Sequence, residues 1–193
     1  MPCQVVGSRK CRCGEHKTDT MMDCVSDHSL IRKLFSDHSW YTFSYVQAAV
    51  FKNETAEALK ARLIENQIEI GSELGRFPKV GAANGKTITT LLTNHIVRAD
   101  AAVNAAIKGD KKLLKQASEI LFAQGDEMSE AFAKVLELDI AEMKKQFRAH
   151  NQHVLNITTL LLQHKNFIQE LDAYTNHMLF VADIIFSAVE IKE

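Results

Sequence analysis

The chain has 193 residues, of which 46% are hydrophobic and 24% charged, with a formal net charge of −1. That length supports one domain with a sizeable core and at most a tail, and the near-zero charge leaves no global footprint for nucleic acid or an anionic membrane. No apolar run opens the chain, and no stretch approaches the ~20 uncharged apolar residues of a membrane-spanning helix. An intracellular protein is therefore expected, placed in the cytoplasm or, for a virus-encoded chain, in a host cell or virion.

Residues 1–27 read as a polar, Cys-rich and locally basic tail, disordered or loosely ordered, ahead of a helical domain over 28–193. All four cysteines, Cys3, Cys11, Cys13 and Cys24, lie in it. In a reducing compartment they stay thiols or bind a metal. Cys11, Cys13, His16 and Cys24 form a zinc-type ligand set, although Cys-x-Cys is tighter than the usual knuckle spacing. The alternative is a tail with free thiols. Arg9, Lys10, Arg12 and Lys17 give the tail the only basic character through which nucleic acid would be met.

From about Asp27 apolar residues recur three and four apart, which predicts helices to the end of the chain. Only Pro2 and Pro78 stand to interrupt them. Helix one is expected over 28–51, with Ile31, Leu34, Phe35, His38, Thr42, Val46 and Ala49 on its buried face. Asn53 or Thr55 caps helix two, whose stripe is Leu59, Leu63, Asn66, Ile70 and Leu74 and which Gly75 and Pro78 end. After a loop, helix three runs to about Ile107 with His95 on its stripe. Gly109 and Asp110 form its stop and the next start. Leu113, Leu114, Ala117, Leu121 and Phe122 make the following helix amphipathic, Gly125 is expected to stop it, and a short segment runs through Phe132 and Leu136. The remainder lacks Gly and Pro, so one stripe runs from Ile140 to Val189. A single helix there would be about 75 Å long at ~1.5 Å per residue, too long for a compact domain. The expected break is at Lys165, where Asn166 to Gln169 reads as a capping box, and Asp139 to Glu142 reads as another start. The fold class is all-α: a bundle of four long helices plus two or three shorter ones.

His38, His95, His150 and His177 each fall near the middle of a long predicted helix on or beside its stripe. Neighbouring antiparallel helices bring their middles to similar heights, so four imidazoles are placed to converge inside the core. Neutral imidazole is the commonest zinc ligand and also suits iron, copper and nickel, and bundle cores are where such sites are built. Zinc or another transition metal is the cofactor this pattern points to, with Asn66 as a hydrogen-bonding support behind the ligands. Two plainer readings stand beside it: neutral buried histidines in a hydrogen-bonded polar layer, or unrelated boundary positions. His153 lies one turn from His150, and Asp183 is too far round from His177 to share a ligand point. A carboxylate-bridged di-iron centre is disfavoured because no Glu-x-x-His occurs, and the zinc-protease motif is absent.

Gly81 to Thr87 resembles a phosphate-binding loop but is one residue short between its glycines, and no βαβ unit surrounds it. A flexible inter-helix loop is the expectation there. The lysine-rich groups around Lys111 and Lys144 read as solvated helix faces.

Several segments, His38-Ser-Trp40, Asn66-Gln67-Ile-Glu-Ile-Gly71, Asn94-His95-Ile96, Gly109-Asp110, Asp126-Glu127, Thr158-Thr159 and His177 to Asp183, resemble a poorly characterised group of helical-bundle proteins of soil bacteria, with relatives in large DNA viruses. The resemblance covers most of residues 38–190 and implies a bundle with polar residues at inner positions and no secure activity. The chain departs from the group at Thr175, where a second histidine is common, and by about one residue near His153. The reading that follows is a non-enzymatic bundle that binds a protein partner or itself, in a regulatory or virus-associated role. The alternative is a metal-binding bundle with oxidoreductase or hydrolase activity.

Overall fold

In a computed structural model, which describes residues 27–190, the described chain is all-helical. Six helices follow one another: α1 (Asp27–Val50), α2 (Ala56–Leu74), α3 (Gly81–Lys108), α4 (Lys111–Leu136), α5 (Ile140–Leu162) and α6 (Ile168–Val189). All six are long, between 19 and 28 residues. The tail and its Cys11, Cys13, His16 and Cys24 ligand set lie outside the described residues. Among the described residues no helix is long and apolar enough to cross a membrane.

Local chemistry accounts for most boundaries. Gly109 adopts φ +68° after α3, and the Asp110 carboxylate accepts from the Leu113 N–H at 2.9 Å to start α4. Asp139 likewise accepts from the Glu142 N–H at 2.7 Å to start α5. The break between α5 and α6 falls at residues 163–167, around the expected Lys165. Asn166 there accepts from the Ile168 N–H at 3.0 Å.

Two glycine positions differ from expectation for one reason. Gly125 does not stop its helix: α4 runs through it. A Cβ at Gly125 would meet the Asn151 amide at 2.8 Å, so the glycine admits a neighbouring helix. Gly85 lies inside α3 where a loop was expected. Its missing side chain lets α3 press against α2 at Gly71 and Gly75; a Cβ on Gly85 would sit 2.6 Å from the Gly75 Cα.

Successive helices pack against each other, and α6 closes back on α1. Helix α5 also touches α1 and α3, so it holds the centre of the bundle. The apolar core gathers Ile31, Ile88, Leu121, Phe132, Met143, Ile157, Ile185 and their neighbours. A clamp on the rim joins α1 to α6: His28 and Arg32 both reach the Asp183 carboxylate, at 2.7 and 2.5 Å.

The α2–α3 contact yields a test. Alanine is preferred over glycine in a helix interior by roughly 1 kcal/mol, so a bystander glycine would gain from replacement. At Gly85 the added methyl meets backbone, which cannot step aside. Gly85→Ala is therefore expected to destabilise the fold by about 1–3 kcal/mol, seen as a lower melting temperature by circular dichroism. An unchanged or higher melting temperature contradicts the close packing.

Candidate functional site

The bundle brings three of the four mid-helix histidines together. His38 on α1, His95 on α3 and His150 on α5 are all buried. His150 is the hub, with its ring centroid 5.4 Å from both His38 and His95. Tyr174 of α6 lies 5.5 Å away on another side. The cluster follows from the packing, because α5 lies against both α1 and α3 and so brings His150 between His38 and His95.

Each ring has one nitrogen held by a specific partner, and these partners assign the protons. The Gln67 amide nitrogen lies 3.1 Å from the Leu63 carbonyl and 2.9 Å from Asn66 Oδ1, two acceptors that identify it as the donor end. It also lies 2.8 Å from His38 Nδ1. The amide's two hydrogens are shared among these three acceptors, and a proton on Nδ1 would point at an amide nitrogen that cannot accept, which puts the His38 proton on Nε2. Asn66 in turn donates to the Leu34 carbonyl at 3.0 Å, so it supports His38 at one remove, through Gln67. His95 has the opposite tautomer. Its Nδ1 is 2.9 Å from the Gln124 carbonyl oxygen, whose orientation is fixed because the amide nitrogen donates to the Leu91 carbonyl at 2.9 Å. His95 therefore donates from Nδ1 and keeps a lone pair on Nε2. His150 Nδ1 lies 3.1 Å from the Met178 sulfur. Sulfur there only accepts, so His150 too is protonated on Nδ1.

His177 stands apart from the three. It is half-buried on α6 beside His153, with ring centroids 5.5 Å apart, and its Nε2 donates to the Gln146 carbonyl at 3.1 Å. His153 donates from Nδ1 to Glu170 at 2.7 Å. Among the described residues no group of three or more His, Cys, Asp or Glu side chains is arranged to hold a metal ion.

Two small cavities flank the core rings, of about 30 and 20 Å³, and all three histidines line both. Each has room for one or two water molecules. Asn151, which lines the smaller one, has a buried side-chain oxygen without a protein hydrogen-bond partner. The Tyr174 hydroxyl is buried beside the Thr42 hydroxyl, and burial holds the phenol above its ordinary range despite the opposing effect of Thr42.

The residues that sequence reasoning missed are the partners: Gln67, Gln124 and Met178. The available signal was chemical. A buried imidazole must satisfy at least one nitrogen, and a glutamine beside an inner stripe is the side chain with the reach to do so.

Burial is the largest influence on the cluster's protonation, because a charged imidazole loses its hydration there. It lowers His38 from 6.5 to about 3, helped by the proximity of His95. Burial lowers His95 despite the opposing Gln124 hydrogen bond. It lowers His150 well below 6.5, with His38 and His95 adding to the effect. The unfolded chain takes up protons on these residues below about 6.5, whereas in the folded chain each does so only at lower pH, His38 at about 3. Between those limits the unfolded state holds more protons, so stability falls as pH falls. His38 contributes roughly 1 kcal/mol per pH unit in that window, and His95 and His150 add in the same direction, against a total of about 5–15 kcal/mol for a typical domain. Denaturant midpoints measured from pH 8 to 5 are expected to stay level above about 6.5 and then drop steeply. A midpoint that stays flat to pH 5 contradicts neutral burial.

No protein-family model matches the chain, and no curated protein or solved structure is found to be similar to it.

Proposed function

We propose that this protein is a non-enzymatic helical bundle that acts by binding, either to a protein partner or to a second copy of itself, and that it is related to the soil-bacterial bundle group. The observation that carries this reading is the enclosure of its polar cluster. The three inner histidines are buried, each spends a nitrogen on a structural partner, and the adjoining cavities hold about 30 and 20 Å³. Pockets that take organic ligands measure roughly 300–1,000 Å³. A layer of this kind supports specificity of packing better than turnover, since hydrogen-bonded polar groups in a core select one helix arrangement over others.

Binding then falls to the outer surface. Trp40, the chain's single tryptophan, is 64% exposed on α1. It borders a groove of about 260 Å³ shared with Asp172, Thr175 and Asn176 of α6. Tryptophan is the side chain most enriched at binding hot spots. A regulatory or virus-associated role through the Cys-rich tail is compatible with this surface.

One observation favours a second reading, a metal-binding bundle with oxidoreductase or hydrolase activity. Three imidazoles do meet in the core, and His95 and His150 keep Nε2 lone pairs. Against it, Gln67 holds His38 with its proton on Nε2, where a metal ligand needs a lone pair.

Sedimentation velocity on the full chain measures self-association, and copurification from native cells followed by reconstitution measures a partner complex. Trp40→Ala is expected to weaken whichever association is found by about tenfold or more while leaving the melting temperature unchanged. Turnover of a substrate that disappears when His95 or His150 is replaced would overturn the binding reading.

A further inference from the structure

The half-buried pair His153 and His177 combines anchored rings with an exposure that the inner cluster lacks. His153, on α5, donates from Nδ1 to the Glu170 carboxylate at 2.7 Å, and Asn156 donates to the same oxygen at 3.0 Å. His177, on α6, donates from Nε2 to the Gln146 backbone carbonyl at 3.1 Å. Each acceptor is an oxygen, so each bond fixes a proton on the ring nitrogen that makes it. Neutral His153 is left with a lone pair on Nε2, and neutral His177 with one on Nδ1. Neither of these nitrogens makes a hydrogen bond to another described residue.

This is the arrangement found behind metal-bound histidines. One nitrogen of each ring is anchored to a carboxylate or backbone carbonyl, which sets the tautomer, aims the ring and raises the basicity of the other nitrogen. The spacing fits as well. The ring centroids are 5.5 Å apart. Two imidazoles sharing one zinc at about 2.0–2.1 Å from each nitrogen place their centroids roughly 5 Å apart. The side chains of His153 and Glu170 are 22% and 23% exposed, so the patch reaches solvent, unlike the inner cluster.

We propose that His153 Nε2 and His177 Nδ1 form a two-histidine site for a zinc-type divalent cation, with Glu170 and the Gln146 carbonyl as positioning groups and water completing the coordination. The site differs from the inner cluster in exposure and in its anchors. The inner His95 and His150 also keep lone pairs, but both are buried and His150 is anchored only to a thioether, whereas His153 is part-exposed and anchored to a carboxylate. Imidazole suits the late first-row ions, with affinity rising from nickel to copper and falling again at zinc, while calcium and magnesium prefer oxygen ligands, so the class of ligand is the divalent transition ion. The proposal is independent of the partner-binding reading, because zinc uptake and association are separate measurements.

The test is zinc titration by calorimetry on the full chain with Cys3, Cys11, Cys13 and Cys24 changed to serine, which removes thiolate competition from the tail. One zinc per chain is expected. His153→Ala or His177→Ala should weaken it at least tenfold, and Glu170→Gln by about tenfold, the usual effect of losing an anchoring group. Calcium should produce no heat. Absence of zinc uptake, or uptake that both histidine replacements leave intact, overturns the site. Should either variant fail to fold by circular dichroism, imidazole ¹⁵N spectra of the unaltered chain carry the same decision. Zinc should shift His153 Nε2 and His177 Nδ1 together, and uptake without those shifts overturns the proposal.

Discussion

The structure turns on the cost of placing three imidazoles in an apolar core. An unsatisfied polar group there costs one to several kcal/mol, and a charged one costs far more. Both costs are contained by one arrangement. Burial keeps the rings neutral, and Gln67, Gln124 and Met178 each satisfy a ring nitrogen. Those partners sit on α2, α4 and α6, while the histidines sit on α1, α3 and α5. Every helix of the bundle therefore contributes one member to the layer, in a pattern that pairs each histidine with the next helix in sequence. A shift of any one helix along its axis would break a bond at the centre, which gives the layer a role in setting register.

The glycine contacts serve the same end. Gly71, Gly75 and Gly85 draw α2 against α3, and Gly125 admits Asn151 of α5 against α4. These approaches pull the outer helices inward around α5, whose His150 is the hub. The Asp183 clamp with His28 and Arg32 closes the ring of helices at the α1–α6 seam. Burial opposes ionisation of Asp183, but the hydrogen bonds from Arg32 and His28 outweigh it and hold the carboxylate below its ordinary range.

The helices and their inner faces were legible in the sequence, because hydrophobic spacing reports burial directly. His38, Asn66, His95 and His150 sit on buried stripes and are buried. Asp110 and Asp139 start helices because the chemistry of a cap is local. Glycine was harder to read. Gly125 and Gly85 look like punctuation in one dimension, and only the neighbouring helix shows that they are contact points. The same limit applies to the histidines. Stripe position predicts depth, not the direction of a ring, so His177 shares the spacing of three residues it does not join. The His153 contact with Glu170 spans 17 residues and leaves no local signal. The glutamines carry no signal either, because their partners lie 29 residues away in both cases.

The central claim is that the inner histidines form a neutral layer whose protons are fixed by their partners. The most direct measurement is the two-bond ¹H–¹⁵N correlation spectrum of the imidazoles in the full chain at neutral pH. The account requires His38 to be protonated on Nε2, and His95 and His150 on Nδ1, each as a single tautomer. A cationic ring, a tautomer average, or a His38 protonated on Nδ1 would contradict it.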